Sequence, residues 1–106
     1  MTTAEFLDWF EVQTKEMARI CRAKNADYSG ADHDPFLNFK RVELMGIATT
    51  EQGFLTRMTD KLCRIRNLTE KEAQVKDESI RDTLLDLANY SLLMAGYLES
   101  KSRIKP

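Results

Sequence analysis

Apolar residues recur along the chain at spacings of three and four, and no stretch alternates convincingly with a period of two. That is the signature of amphipathic helices rather than half-buried strands. Four stretches carry it. The first, over about 2–23, opens with Thr2 and Glu5 at capping-box spacing. Phe6, Phe10, Met17, Ile20 and Cys21 line one side of it, and Trp9 and Val12 flank that stripe. The second is short, about 35–45. Asp34-Pro35 reads as an N-cap followed by a first-turn proline, Phe36, Leu37 and Phe39 are to pack, and Gly46 is placed to end the helix. The third, about 51–68, has Thr49 or Thr50 as its cap and a stripe of Phe54, Leu55, Met58, Leu62 and Ile65. The fourth, 78–99, is capped by Asp77 or Ser79. It is expected to pack through Ile80, Leu84, Leu87, Ser91, Met94 and Leu98.

The intervening stretches differ in kind. Residues 24–39 gather Asn, Asp, Ser and Gly, which is loop chemistry. Residues 69–77 are strongly charged, with no apolar periodicity beyond Val75, and read as a turn or a frayed helix end between antiparallel helices. The tail, 100–106, is polar and expected to be mobile. The pattern therefore predicts an all-α fold, a small helical bundle of four main helices in a single domain spanning 1–106.

Charge narrows the partners. Sixteen basic and 17 acidic residues give a formal net charge of −1. No global field draws the chain to nucleic acid or an anionic membrane, so direct nucleic-acid binding is not expected. A local cluster can still hold a small anion. Cys21 and Cys63 sit at or beside apolar helical positions without a CxxC, which reads as two buried free thiols in a reducing compartment. No basic segment followed by an apolar run opens the chain, and no apolar run approaches the roughly 18 residues of a membrane span. The expected location is a cytoplasm, with no membrane partner.

Three groups of residues could carry chemistry. On the fourth helix, Glu78, Asp82 and Asp86 follow one another at i, i+4 and i+8, with Asn89 beyond. Neighbouring like charges each cost a few tenths of a kcal/mol in an isolated helix. They are either solvated or compensated. One compensating partner is Mg²⁺, a hard cation that needs only two or three carboxylates when phosphates supply its other ligands. The same face turns apolar further on at Tyr90, Leu93 and Tyr97, so the acids would border a cleft rather than bulk water. On the third helix, Arg57, Asp60, Lys61 and Arg64 share one arc. They are either interhelical salt-bridge partners of Asp82 and Asp86, or a phosphate-binding cluster with Asp60 joining the metal ligands. In the loop, Lys24, Asn25, Asp27, Tyr28, His33, Asp34 and Asn38 offer donors and acceptors. Tyr28 could stack on a base and Asn38 read its edge, or Asp27, Ser29, Asp34 and Asn38 are turn and cap residues. His33, the single histidine, has no second ligand for zinc. No phosphate-binding glycine loop, nucleophile elbow or HExxH is present.

The segments KNADYSG, DPFLNF, RMTDKLCRIRNL and ESIRDTLLDLANY together resemble the phage and bacterial family called nucleotide modification associated domain 1. The resemblance covers about residues 24–98. The layout is also similar to that of the MazG-like all-α NTP pyrophosphohydrolases. Those proteins bind Mg²⁺ through ExxE on one helix and ExxD on the next, and cleave a nucleoside triphosphate between its α and β phosphates. What the resemblance implies here is a helical, oligomeric domain handling a nucleotide or a nucleotide-derived molecule in the cytoplasm, the host's if the chain is phage-encoded. The second acidic motif corresponds to Glu78, Asp82 and Asp86, at a spacing of four instead of three. The first is missing, and Asp60 stands alone before Lys61. In the leading reading Glu78, Asp82 and Asp86 hold Mg²⁺ with help from Asp60. Lys24, Lys61 and Arg64 then neutralise phosphates, and Tyr28, Asn38, Asn89 and Tyr90 contact base and sugar. Its rivals are a module that sequesters a nucleotide or nucleotide signal without turnover, and a protein-interaction module countering host defence. The apolar surplus of the fourth helix predicts a homo-oligomer with its interface near the site.

Overall fold

A computed structural model of the chain describes residues 1–27, 34–70 and 77–104, with the side chains of all but 25–27, 77–79 and 104. Among the described residues the elements are four α-helices and no strand: α1 (Thr3–Asp27), α2 (Leu37–Leu44), α3 (Thr50–Glu70) and α4 (Asp77–Ile104). They fall into two compact units, Met1–Pro35 and Phe36–Pro106.

The first unit is built on α1. Its capping box closes as the sequence predicts: the Glu5 amide donates to Thr2 Oγ1 at 3.1 Å, and the Thr2 amide donates to Glu5 Oε1 at 3.3 Å. Phe6 meets Trp9 and Phe10 at ring-centroid distances of 5.8 and 6.0 Å. The helix runs on through Lys24 to Asp27, four residues past its expected end. No Gly or Pro interrupts this stretch, and Lys24 in the last turn complements the negative end of the helix dipole. Loop chemistry at 24–27 is thus outweighed by helix continuation. Tyr28, Ser29 and His33 lie outside the described residues, as does Val75.

In the second unit α3 and α4 form an antiparallel hairpin, and α2 packs against α3. The core is aromatic. Phe39 of α2 stacks on Phe54 of α3 at 3.9 Å between centroids and 10° between planes. Tyr90 and Tyr97 of α4 meet Phe39 and Phe54 at 5.8 and 5.7 Å. Phe36, Tyr90, Leu93 and Met94 close around the buried Phe39, Phe54 and Tyr97. Ion pairing of Lys101 with Glu51 at 2.9 Å ties the end of α4 to the start of α3. The hydrogen bond from Lys101 holds the Glu51 carboxyl below its ordinary range, and Glu51 in turn raises the Lys101 ammonium.

α2 follows the expected punctuation at its C-terminal end only. Gly46 takes a left-handed φ of 74°. Its amide donates to the Glu43 carbonyl and that of Ile47 to the Val42 carbonyl, at 3.0 and 2.9 Å, which is a Schellman closure. Thr49 and Gln52 then form a second reciprocal capping box, at 3.1 and 2.9 Å. At the other end the Asp34-Pro35 cap is not where the sequence predicts it. The helix begins at Leu37 and its N-cap is Phe36, without a side-chain cap hydrogen bond. The Phe36 carbonyl accepts from the Phe39 and Lys40 amides instead.

Three further expectations are corrected. Leu37 is exposed, because burying Phe36 and Phe39 turns it outward. The packing face of α4 is centred on Thr83, Tyr90 and Tyr97, with Leu87 and Met94, and leaves Leu84 and Leu98 exposed. Aromatic bulk outweighs the leucine stripe in choosing which arc faces α3. The tail continues as helix through Ile104, and Thr69 and Glu70 belong to α3. The expected caps at Asp77 and Ser79 fall among side chains outside the described set.

Candidate functional site

The hairpin has one polar side. On α3, Arg57, Lys61 and Arg64 fall within about 60° of arc at ~100° per residue, with Asp60 at its outer edge. On α4, Asp82, Asp86 and Asn89 form the matching edge. Lys61 joins the two, with its Nζ 3.3 Å from Asp86 Oδ2. Lys61 is the more enclosed partner, its side chain 24% exposed against 53% for Asp86. The salt bridge between α3 and α4 that the sequence left as one of two alternatives therefore exists for Lys61 and Asp86. Arg64 stands one turn further along α3, which in this antiparallel register brings it level with Asp82 and Thr83.

The cations are seated by rings as well as by acids. The Arg57 guanidinium lies 5.5 Å from the Phe39 ring centre, and Lys61 Nζ lies 6.0 Å from that of Tyr90. Such contacts contribute about 0.5–1 kcal/mol at exposed positions. Phe39 is itself fixed by stacking on Phe54. Gly53 permits this close approach of α2: a Cβ there would meet Val42 Cγ2 at 3.0 Å and the Phe39 carbonyl oxygen at 3.1 Å. Aromatic seating of the cations was not legible from charge spacing. Its signal was the alternation of aromatic and basic positions in Phe54, Arg57 and Lys61, read against Phe39 and Tyr90.

All the expected site residues except Tyr28 and Glu78 have described side chains. Asp60, Arg64 and Asp82 are exposed, Asn89 and Tyr90 are half-buried, and Asn38 is exposed in the first turn of α2 beside Phe39. Tyr90 packs edge-on against Phe39 at 5.8 Å, so its ring belongs to the core and to the seat of Lys61. Lys24 is exposed and belongs to the first unit. Tyr28 lies outside the described residues. The backbone of Glu78 is in the first turn of α4, but its side chain is outside the described set. Lys61, Asp86 and Tyr90 are brought together, and Arg57 joins them through the Phe39 ring.

Among the described residues no group of three or more His, Cys, Asp or Glu side chains could by itself hold a metal ion. A Mg²⁺ that arrives with phosphates has a smaller requirement, one or two carboxylates. Asp82 and Asp86 on successive turns of α4 are oxygen donors of the right kind for that mode. Among the described residues no helix is long and apolar enough to cross a membrane.

The family model described as nucleotide modification associated domain 1 matches residues 24–95, which takes in α2, α3 and most of α4. No curated protein and no solved structure matches the chain.

Proposed function

The chain belongs to the nucleotide modification associated domain 1 family, and from that premise we propose that it handles a nucleotide whose phosphates lie along the polar side of α3 and α4. One observation carries this reading. Arg57, Lys61 and Arg64 line one arc beside Asp82 and Asp86, and two of the cations are seated over aromatic rings. Guanidinium and ammonium groups held in this way suit phosphate oxygens. Asp82 and Asp86 would hold a Mg²⁺ carried by those phosphates, and that ion supplies charge neutralisation and polarisation at the phosphoryl group. Lys61 has a second task in this arrangement. It pairs with Asp86 and can swing to a phosphate oxygen when the carboxylate is claimed by the cation. Asn89 and Asn38 are the polar side chains nearest this edge in sequence for contacts to base or sugar.

In the leading version the chain is a Mg²⁺-dependent nucleotide pyrophosphohydrolase. The second version is capture without turnover, as a sequestering protein. Its supporting observation is the Lys61–Asp86 pair, which places a cation where a hydrolase would want an uncommitted carboxylate. Purified protein incubated with Mg²⁺ and a panel of nucleoside triphosphates separates the two. Release of pyrophosphate supports hydrolysis. Tight binding with the nucleotide recovered intact supports capture and rejects the enzyme. No binding at millimolar nucleotide rejects both, and leaves the polar side as an interhelical salt-bridge network.

A further inference from the structure

The polar side of the hairpin has two unlike ends, and α2 makes the difference. At ~100° per residue, Gly53, Arg57 and Arg64 of α3 fall on the same flank of the hairpin as Asp82, Asn89 and Gly96 of α4. The two glycines are where α2 touches that flank. A Cβ on Gly53 would meet Val42 Cγ2 at 3.0 Å and the Phe39 carbonyl oxygen at 3.1 Å, and a Cβ on Gly96 would meet the Phe36 ring edge at 3.5 Å. Helix α2 therefore lies across one end of the polar side. From there the side runs along the hairpin towards Arg64 and Asp82.

Charge is distributed unevenly along it. The Lys61–Asp86 and Phe54–Tyr97 contacts fix the stagger of the antiparallel pair. On that stagger Arg57 is level with residues 90–94 of α4, none of which is acidic. Tyr90 and Leu93 there pack against the aromatic core, and the Phe39 ring centre lies 5.5 Å from the Arg57 guanidinium. Lys61 and Arg64 are level with residues 83–90, which include Asp86 and adjoin Asp82. The end beside α2 thus offers aromatic and aliphatic surface with one cation. The far end offers two cations and two carboxylates. Arg57 and the Asp82–Asp86 pair are about 12 Å apart along the hairpin axis, a span that a chain of phosphates with its cation covers and a single phosphate does not.

A nucleotide is unlike at its two ends in the same sense. Its base is flat, uncharged and suited to aromatic and aliphatic contact. Its outer phosphates carry most of its charge and are where Mg²⁺ is shared with one or two carboxylates. Seated with its base beside α2, each end meets its kind. Turned round, the base would take Arg64, Asp82 and Asp86 out of water without partners, which is unfavourable. The outer phosphates would then meet a single cation and no carboxylate to share the metal.

We propose that the nucleotide lies in one direction, with its nucleoside towards α2 and its outer phosphates towards Asp82 and Asp86, and that Arg57 holds the inner phosphate without metal. Granted the nucleotide reading on which this rests, Arg57 recognises any nucleotide down to the monophosphate. Arg64 and the carboxylates respond to the length of the phosphate chain.

Titration calorimetry with crossed ligands and variants tests the direction. The ligands are a nucleoside 5′-monophosphate, inorganic pyrophosphate with Mg²⁺, and the nucleoside triphosphate with Mg²⁺, for adenine, guanine, cytosine and thymine in turn. Arg57→Gln is expected to weaken the monophosphate and the triphosphate about tenfold, and pyrophosphate less than about twofold. Arg64→Gln is expected to weaken pyrophosphate and the triphosphate about tenfold, and the monophosphate less than about twofold. Chelation of Mg²⁺ should act as Arg64→Gln does. Both arginines are exposed, and unchanged circular dichroism checks that the variants fold. Nuclear Overhauser contacts from the base are expected to reach the Leu93 methyls. Contacts to the Leu85 methyls instead, a reversed pattern of losses, or equal losses in both variants with every ligand overturn the direction and leave the nucleotide reading standing. If the unaltered chain binds none of these ligands at millimolar concentration, the nucleotide reading falls, and this inference with it.

Discussion

Two glycines on adjacent helices should respond to alanine in opposite directions. Gly53 lies in the first turns of α3, where α2 crosses closely. A Cβ at this position stands 3.0 Å from Val42 Cγ2 and 3.1 Å from the Phe39 carbonyl oxygen. The valine methyl can rotate away. The carbonyl cannot, because it belongs to the backbone of α2, and α2 is held by the Phe39–Phe54 stack at 3.9 Å. Relief therefore requires α2 to lift, which loosens that stack. Overpacking of this kind costs about 1–3 kcal/mol. The intrinsic gain from Gly to Ala in a helix is ~0.8–1 kcal/mol. The net for Gly53→Ala is a loss of up to about 2 kcal/mol. Gly96, in α4, offers the control. Its added Cβ meets only the Phe36 ring edge, at 3.5 and 3.7 Å, ordinary van der Waals contact. Gly96→Ala keeps the full gain of ~1 kcal/mol, a rise in Tm of roughly 4–8 °C for a domain of this size. Thermal unfolding followed by circular dichroism at 222 nm, with all proteins at one concentration, measures both. If Gly53→Ala is stabilised as much as Gly96→Ala, the close approach of α2 described above is wrong.

Three other outcomes are expected. Phe39→Ala should cost about 3–5 kcal/mol, because it empties the stacked core position and removes the ring beneath Arg57; urea denaturation gives the value. Lys61→Met should change stability by less than about 1 kcal/mol, since its ion pair is half exposed, yet weaken binding of a nucleoside triphosphate at least tenfold by titration calorimetry. For Glu51, whose folded value is lowered by Lys101 from an ordinary 4.5, the stability contribution is complete above 4.5 and lost as pH falls through the folded value. Lys101 is raised from 10.5, so its contribution is complete below 10.5 and lost as pH rises through its folded value. Glu51→Gln should therefore flatten both limbs of the Tm–pH curve, and unchanged limbs would show that the pair does not act in solution.

Local signals were legible where they are self-contained in sequence. Thr2 with Glu5 and Gly46 carry their own hydrogen-bonding partner or backbone preference within four residues, and each forms as read; at α3 the sequence left Thr49 and Thr50 as alternative caps, and the structure selects Thr49, paired with Gln52. The all-α class followed from periodicity in the same way. The packing face of α4 was harder to read, because two arcs of that helix are apolar. A stripe of leucines competes with Thr83, Tyr90 and Tyr97, and only the position of Phe39 and Phe54 across the interface decides between them. Asp34-Pro35 misled for a similar reason: the tertiary burial of Phe36 moved the helix start two residues on. At the candidate site, the cluster of Arg57, Lys61, Asp82 and Asp86 was visible from spacing. Which acid meets which base depends on the stagger of two antiparallel helices, and that stagger is set by the aromatic core.

The seating of cations on rings has a consequence for how this surface can be used. A lysine fixed by a carboxylate has directed its donors at that carboxylate and must release it before meeting anything else. An arginine held by the face of a ring, as Arg57 is at Phe39, is positioned through its charge, and that contact uses none of its N–H donors. The four cations Lys40, Arg57, Lys61 and Lys101 lie 5.5–6.0 Å from the centres of Phe36, Phe39, Tyr90 and Tyr97. At Arg57 the ring contact sets the position of the guanidinium without drawing on its hydrogen-bonding capacity.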